Sequence, residues 1–229
     1  VLARNLICTD IDEFVDANTV TFLNPYSFLE IHRSDIDLNR FDKICIDGIA
    51  LKLFLDKAYG GTDIQRLSFD FTSVANTVFE RGAAEAQSGF ILGSDQQSND
   101  LFLSKISEMF PGIKLEGRSG YFDGDELDVC IKSLAASQCD FIVIGMGAVK
   151  QEQVAIALMD SGYTGRLYTC GGFIHQTALG GGEYYPKWID KLNLRFAYRM
   201  YKEPSTIRRY LLDYPQAFFI LFRNFRSFK

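Results

Sequence analysis

CDFIVIGMGAVKQEQ, residues 139–153, is the stretch on which the reading of the fold turns. Phe141, Ile142, Val143 and Ile144 form a short apolar run that stops at Gly145 and Gly147. Lys150, Gln151 and Glu152 follow, and an apolar-periodic segment begins. This order predicts a buried strand, a glycine turn and a helix N-terminus. Backbone N–H groups in such a turn can come close to a bound anion, often a phosphate. The stretch therefore points to a nucleotide-type ligand, with a tight turn that binds nothing as the plainer alternative.

Outward from this turn, short apolar runs alternate with helix-like segments. The strand candidates are Leu6–Cys8, Thr19–Leu23, Lys43–Ile46, Gly89–Leu92, Ile113–Leu115, Phe141–Ile144 and Leu167–Cys170. Amphipathic stretches cover Ile49–Tyr59, Thr72–Gln87, Ser98–Phe110, Asp125–Ser137 and Gln151–Ser161. Thr72, Asp123 and Asp125 offer cap chemistry at helix starts, and Gly112 and Gly162 fall where helices should stop. Repeated βα alternation predicts an α/β fold, a mostly parallel sheet flanked by helices on both faces. Ligands of such sheets bind beyond the carboxyl ends of the strands.

The glycine turn fails two motif tests. A dinucleotide fingerprint needs a third glycine and an acidic residue about 20 positions on. Here Lys150 stands at the third position, and the next strand ends at Cys170-Gly171-Gly172. A nicotinamide enzyme is thus disfavoured, and a P-loop is absent because no GK[ST] follows. Asp47-Gly48 places a carboxylate at a strand end, either as a ligand-edge acid or as a helix N-cap. Asn24-Pro25 sits at another strand end, where Asn serves equally as turn former or ligand contact. Asp123-Gly124-Asp125 is a DxD that could hold Mg²⁺ or Mn²⁺, but acidic residues also suit the start of a helix. Asp10/Asp12 and Asp35/Asp37 share the spacing and read as solvated pairs. His32 and His175 cannot make a metal site alone, and only His175, just after the double glycine, is placed to face a ligand.

The chain has 229 residues, 47% hydrophobic and 23% charged, as expected of a globular protein with a real core. Its five cysteines are scattered and odd in number, which favours core residues over disulfides or zinc. No run is apolar and long enough to span a bilayer and no signal-peptide pattern is seen, so a cytoplasmic location is expected. The net charge of −5 hides an asymmetry. Residues 1–186 carry 14 Lys/Arg against 26 Asp/Glu, a net of −12. Residues 187–229 carry 10 against 3, a net of +7. From about Pro186 the strand pattern ends. Tyr198, Tyr201, Tyr210, Tyr214, Phe218, Phe222, Phe225 and Phe228 interleave with basic residues. Two units are therefore expected, an acidic α/β body over 1–186 and a basic, aromatic helical appendage over 187–229. The appendage suits an anionic partner.

Several short motifs occur in one order: Asn24-Pro25, Asp47-Gly48, Arg66, Leu92-Gly93, Gly120-Tyr121-Phe122, Gly145-Met146-Gly147, Lys150-Gln151-Glu152 and Gly171-Gly172, then Pro186-Lys187-Trp188, Tyr198-Arg199, Glu203-Pro204 and Arg208-Arg209-Tyr210. The ordered set resembles the WecG/TagA/CpsF family of bacterial glycosyltransferases, from about residue 4 onward. The resemblance implies a Rossmann-like domain with a C-terminal helical appendage that engages the membrane. It implies inverting transfer of a sugar from a UDP-sugar to a sugar on a polyprenyl diphosphate, for surface polymers such as exopolysaccharide, capsule or teichoic acid. It makes Asp47 the catalytic base and Arg66, Tyr121 and Gln151 polar residues of the donor pocket. Gly145, Gly147, Gly171 and Gly172 become its glycine turns. Asn24, Glu152 and His175 are added as binding candidates, as are Arg199, Arg208 and Arg209 from the tail.

Three positions depart from the family pattern. Phe22 stands where many members have Thr, and His175 where many have Asp. Leu194-Arg195-Phe196-Ala197 replaces a Leu-Glu-Trp before Tyr-Arg. A hexose donor is therefore weighed equally with an N-acetylhexosamine. The expected cofactor is none: cations and backbone amides take the place of a metal, with Mg²⁺ or Mn²⁺ left open. The expected partners are the UDP-sugar, the lipid-linked acceptor and an anionic membrane on its inner face, with a homo-oligomer possible. Nucleic acid is disfavoured by the acidic body. The competing class is a non-enzymatic nucleotide-binding peripheral membrane protein.

Overall fold

The computed structural model describes residues 2–122, 125–180 and 204–223, together with positions 189, 198, 200 and 201. Six strands form one sheet: β1 (Thr19–Leu23), β2 (Lys43–Ile46), β3 (Ser88–Gly93), β4 (Lys114–Arg118), β5 (Phe141–Gly145) and β6 (Arg166–Thr169). Every pairing is parallel, and the order is β2-β1-β6-β5-β3-β4. Helix α1 (Ile11–Asp16) precedes β1, and α2 (Pro25–His32) links β1 to β2. Helices α3 (Ile49–Ala58) and α4 (Ala75–Ala84) carry the chain across the sheet to β3. Then α5 (Gln96–Met109), α6 (Glu126–Ser137) and α7 (Lys150–Asp160) follow β3, β4 and β5, and α8 (Phe173–Gly180) follows β6. A π-helical turn at Arg209–Asp213 leads into the last described helix, α9 (Tyr214–Arg223).

The period-two alternation of the strands sorts the core into layers. Phe141 and Val143 of β5 join Phe14, Phe79, Phe102 and Phe173 on one face. Ile142 and Ile144 join Ile131 and Leu134 of α6 and Val154 and Leu158 of α7 on the other. Each such side chain contributes about 2 kcal/mol by leaving water. Consequently α7, after β5, and α8, after the adjacent β6, lie against opposite faces of the sheet. A crevice opens where neighbouring connections diverge in this way, at the carboxyl edge of the strands.

Six of the seven expected strands are present, five of them within one residue and β4 running three residues past its expected end. The exception is Leu6–Cys8. Arg4–Leu6 closes into a 3₁₀ turn, and only Ile7 bridges to Ile44. Helix α4 starts at Ala75 rather than Thr72, because Asp70 claims the segment before it. The Asp70 carboxylate accepts from the Thr72 amide and hydroxyl, and its carbonyl accepts from the Ser73 and Ala75 amides. Helices α1, α2 and α8 were not among the expected stretches. Asn24 settles α2 by forming a capping box with Ser27, with Pro25 at the first helical position.

The described part of the appendage is tied to the body. Ala217 and Leu221 of α9 are fully buried in the layer that holds Leu29, Phe54 and Leu55. Phe54 meets the rings of Phe218 and Phe222 edge-on at 6.1 and 5.0 Å. Phe218, one of the aromatics that interleave with basic residues in the tail, is half-buried because α9 turns it onto Phe54. Phe219 and Phe222 stay 68% and 65% exposed, while Phe225 and Phe228 lie outside the described residues.

Candidate active site

The carboxyl edge of the sheet carries one large cleft of about 1060 Å³. Its wall includes Asn24, Asp47, Arg66, Tyr121, Gly145, Gly147, Gln151, Gly171, Gly172, His175 and Arg209. Eleven of the fourteen residues picked from sequence thus meet around one space, though they come from seven separate stretches of the chain. Arg199 lies outside the described residues. Arg208 is exposed and is not among the residues lining the cleft. Neither is Glu152, which is fully buried behind its wall.

Asp47 leaves β2 with its amide bonded to Leu23 O at 2.8 Å, a continuation of the β1–β2 ladder. The residue capping α3 is Gly48, at φ 112°, so the N-cap reading of Asp47 does not hold. The positive φ at Gly48, a conformation glycine adopts without penalty, turns the chain sharply and leaves Asp47 on the rim of the cleft. Its carboxylate stands 3.8 Å from Arg66 Nη1, both side chains being partly exposed. Arg66 Nη2 in turn donates to Ser68 Oγ at 3.4 Å, and Ser68 Oγ donates to Asp70 Oδ2 at 2.7 Å. Ser68 and Asp70 line the cleft and were missed in the sequence, where nothing distinguishes them from turn residues before α4.

The glycine turns form the opposite wall. Gly145 is required by close packing. A Cβ there would lie 2.7 Å from Ile174 Cδ1 and 2.8 Å from Cys170 Sγ. Gly147, which lines the cleft, is required by its φ of 82°, and a Cβ there would meet no atom within 4 Å. Gln151 joins the two turns: its Oε1 accepts from the Gly171 amide at 3.0 Å, and its Nε2 donates to Glu152 Oε1 at 2.8 Å. Glu152 is the hub behind them. It accepts from Thr21 Oγ1 at 2.9 Å and from the Val149 amide at 2.7 Å. Thr21 Oγ1 lies 3.0 Å from Thr169 Oγ1, so one buried network links β1, β6 and the start of α7. Burial pushes the Glu152 carboxyl upward, against the hydrogen bonds it accepts. Glu152 therefore moves from the ligand contacts to the supporting structure. Val149 is held at φ 74°, ψ −58°, a conformation that a β-branched residue rarely adopts. The Glu152 bond to its amide pins that turn.

In the sequence Lys150 spoils a dinucleotide fingerprint and opens the Lys150-Gln151-Glu152 motif, but it is not among the site candidates. Its Nζ donates to Gly120 O at 3.1 Å and lies 5.7 Å from the centre of the Phe122 ring, and the residue lines the cleft. A cation in the first turn opposes the helix dipole, so its gain must come from what it holds or binds. Arg209 is the tail's contribution, its guanidinium 4.4 Å above the Tyr26 ring at the cleft margin. Among the described residues no group of three or more His, Cys, Asp and Glu converges as a metal site. Asp125 precedes α6 without a side-chain cap, and Asp123 and Gly124 of the DxD lie outside the described residues.

The order of these motifs agrees with comparison to known proteins. Residues 2–229 match the glycosyl transferase WecG/TagA/CpsF family. The chain belongs to the WecG/TagA/CpsF family of glycosyltransferases. It is 34% identical over 199 residues to UDP-Gal:alpha-D-GlcNAc-diphosphoundecaprenol beta-1,4-galactosyltransferase from Shigella boydii. That alignment covers 86% of this chain and 82% of the relative. As a member of this family of enzymes, the chain fits a sugar-transfer site better than a dinucleotide site: the tip of β6 leads into Cys170-Gly171-Gly172 with no acidic residue for a ribose. Phe22, the departure from the usual Thr, lines the cleft with its ring edge-on to Phe69 at 5.7 Å.

Proposed function

We propose that this enzyme transfers a hexose, galactose foremost, from its UDP-sugar to a sugar carried on a polyprenyl diphosphate, with inversion at the anomeric carbon. The relative's name gives it a UDP-galactose donor, a GlcNAc-diphosphoundecaprenol acceptor and a β-1,4 product. A β linkage built from an α-configured sugar nucleotide is an inversion. The observation that carries the reading is that Asp47, paired with Arg66, faces the same cleft as the two glycine turns.

In the proposed reaction an Asp47 oxygen takes the proton of the acceptor hydroxyl as that oxygen attacks the anomeric carbon. The new C–O bond forms as the bond to UDP breaks, and the diphosphate gains negative charge. Arg66, Lys150, Arg209 and the amides around Gly147 and Gly171–Gly172 are the groups available to offset that charge. Metal-free transfer is part of the proposal. Activity that survives excess EDTA supports it, and complete loss restored by Mg²⁺ overturns it.

We place the enzyme on the inner face of the cell membrane, bound from the side of its last helices. Leu211, Leu212, Phe219 and Phe222 are each more than half exposed, with Arg208, Arg209 and Arg223 among them. An apolar face with interspersed cations suits the bilayer interface, each cation adding about 1 kcal/mol at an anionic surface. Among the described residues no helix is long and apolar enough to cross a membrane. The same face could pair two copies of the chain, and sedimentation with and without vesicles separates the two uses. The function itself is tested by calorimetry with UDP, UDP-galactose and NAD. Binding of the uridine ligands without NAD supports the transferase, and binding of none returns the chain to a non-enzymatic role.

A further inference from the structure

The cleft holds a second polar cluster that the transfer step does not use. Asp95 follows β3, His175 sits on α8, and the buried Ser98 of α5 stands between them. Ser98 Oγ lies 2.7 Å from Asp95 Oδ2 and 3.1 Å from His175 Nδ1. The Ser98 amide also donates to Asp95 Oδ1 at 2.9 Å. Ser98 has a single hydroxyl proton to give, and an ionised carboxylate wins it over a neutral imidazole. The bonds from Ser98 hold the Asp95 carboxyl below its ordinary range, in keeping with that ionised state. Ser98 Oγ is then the acceptor toward the ring, and His175 Nδ1 carries the proton. A neutral imidazole has only one N–H, so Nε2 is the acceptor. The direct distance from His175 Nδ1 to Asp95 Oδ2 is 3.8 Å, so the link runs through Ser98. The ring is 53% exposed and lines the cleft.

The position of the cluster says which part of a ligand it meets. Asp47 follows β2 and Asp95 follows β3, four inter-strand steps away in the sheet order. At about 4.8 Å per step the separation is roughly 19 Å. A nucleotide sugar with its anomeric carbon at Asp47 runs its diphosphate past the glycine turns and puts its nucleoside toward this end. We propose that His175 Nε2 accepts a hydrogen bond from a ribose hydroxyl of the donor, and that Ser98 and Asp95 are positioning residues that set the tautomer. The proposal rests on the UDP-hexose reading of the cleft.

The sequence has two histidines, so His32→Asn with ¹⁵N-labelled histidine leaves one imidazole to observe by NMR. At mildly alkaline pH the expected form is Nδ1–H, and Ser98→Ala should shift it toward Nε2–H. Calorimetry with UDP, 2′-deoxy-UDP and 3′-deoxy-UDP supplies the second arm. His175→Ala should weaken UDP about fivefold, while one of the two deoxy analogues binds parent and variant alike. An Nε2–H ring in the parent, or equal losses for all three ligands, overturns the inference while leaving the UDP reading intact. Failure of the parent to bind UDP overturns both.

Discussion

The two sides of the cleft are built in opposite ways. At the β2 rim, Asp47 and Arg66 are partly exposed and 3.8 Å apart. At the β5–β6 wall, Gln151, Glu152, Thr21 and Thr169 are buried, and hydrogen bonds tie them into one network. A rim of that kind suits a group that must change protonation and meet an incoming acceptor. A wall of that kind suits a fixed surface that holds a charged ligand while its bonds change. In the proposed reaction this difference separates a residue that acts on the substrate from residues that shape the place where it sits, and substitutions on the two sides should fail in different ways.

The largest effect is expected at the rim. Asp47→Asn should lower kcat about a thousandfold and leave the calorimetric affinity for UDP within about twofold. A variant that turns over at the parent rate would end the assignment of Asp47. At the wall, Glu152→Ala should cost about 3 kcal/mol in chemical denaturation, because the Val149 amide, the Thr21 hydroxyl and the Gln151 amide lose their acceptor. Its pH signature has a definite sign. Burial raises the folded-state pKa of Glu152, so the folded protein binds more protons than the unfolded chain between the two pKa values. Stability should therefore fall as pH rises through that window, and the fall should be shallower in Glu152→Gln. An unchanged slope would mean that Glu152 is better solvated than its position implies.

Smaller effects should follow where wall and ligand meet. Gly147→Ala adds a methyl group at a cleft-lining position held at a φ of 82° and should cost about 1 kcal/mol of stability. It should also weaken UDP binding several-fold, by thermal shift or calorimetry, with kcat less affected than KM. The smallest catalytic effect belongs to the appendage. Phe219→Ser with Phe222→Ser should reduce sedimentation with anionic vesicles while sparing UDP affinity. If vesicle binding is unchanged, the exposed rings serve another purpose.

Strand positions were legible in the sequence because β5 and β2 are nearly continuous apolar runs, the mark of a parallel strand covered on both faces. Helices α1, α2 and α8 were not legible, since each is six to eight residues long, too short for a clear period. In the site, Asp47 was legible because it ends an apolar run, and Gly145 and Gly147 because they interrupt one. Ser68, Asp70 and Asp95 were not. Their importance comes from contacts with Arg66 and Ser98 that the fold makes and no local pattern announces. Glu152 misled for the converse reason. Its place in the Lys150-Gln151-Glu152 motif marks it as important, and only its burial separates support from contact.

The central claim is that the cleft binds a UDP-hexose and transfers the sugar with inversion. It is tested most directly by incubating the enzyme with a panel of UDP-sugars and a GlcNAc-diphosphate lipid acceptor, then reading the anomeric configuration of the product by NMR. The account predicts transfer from a UDP-hexose, galactose foremost, and a β-configured product. An α-configured product, or no transfer from any UDP-sugar, would contradict it.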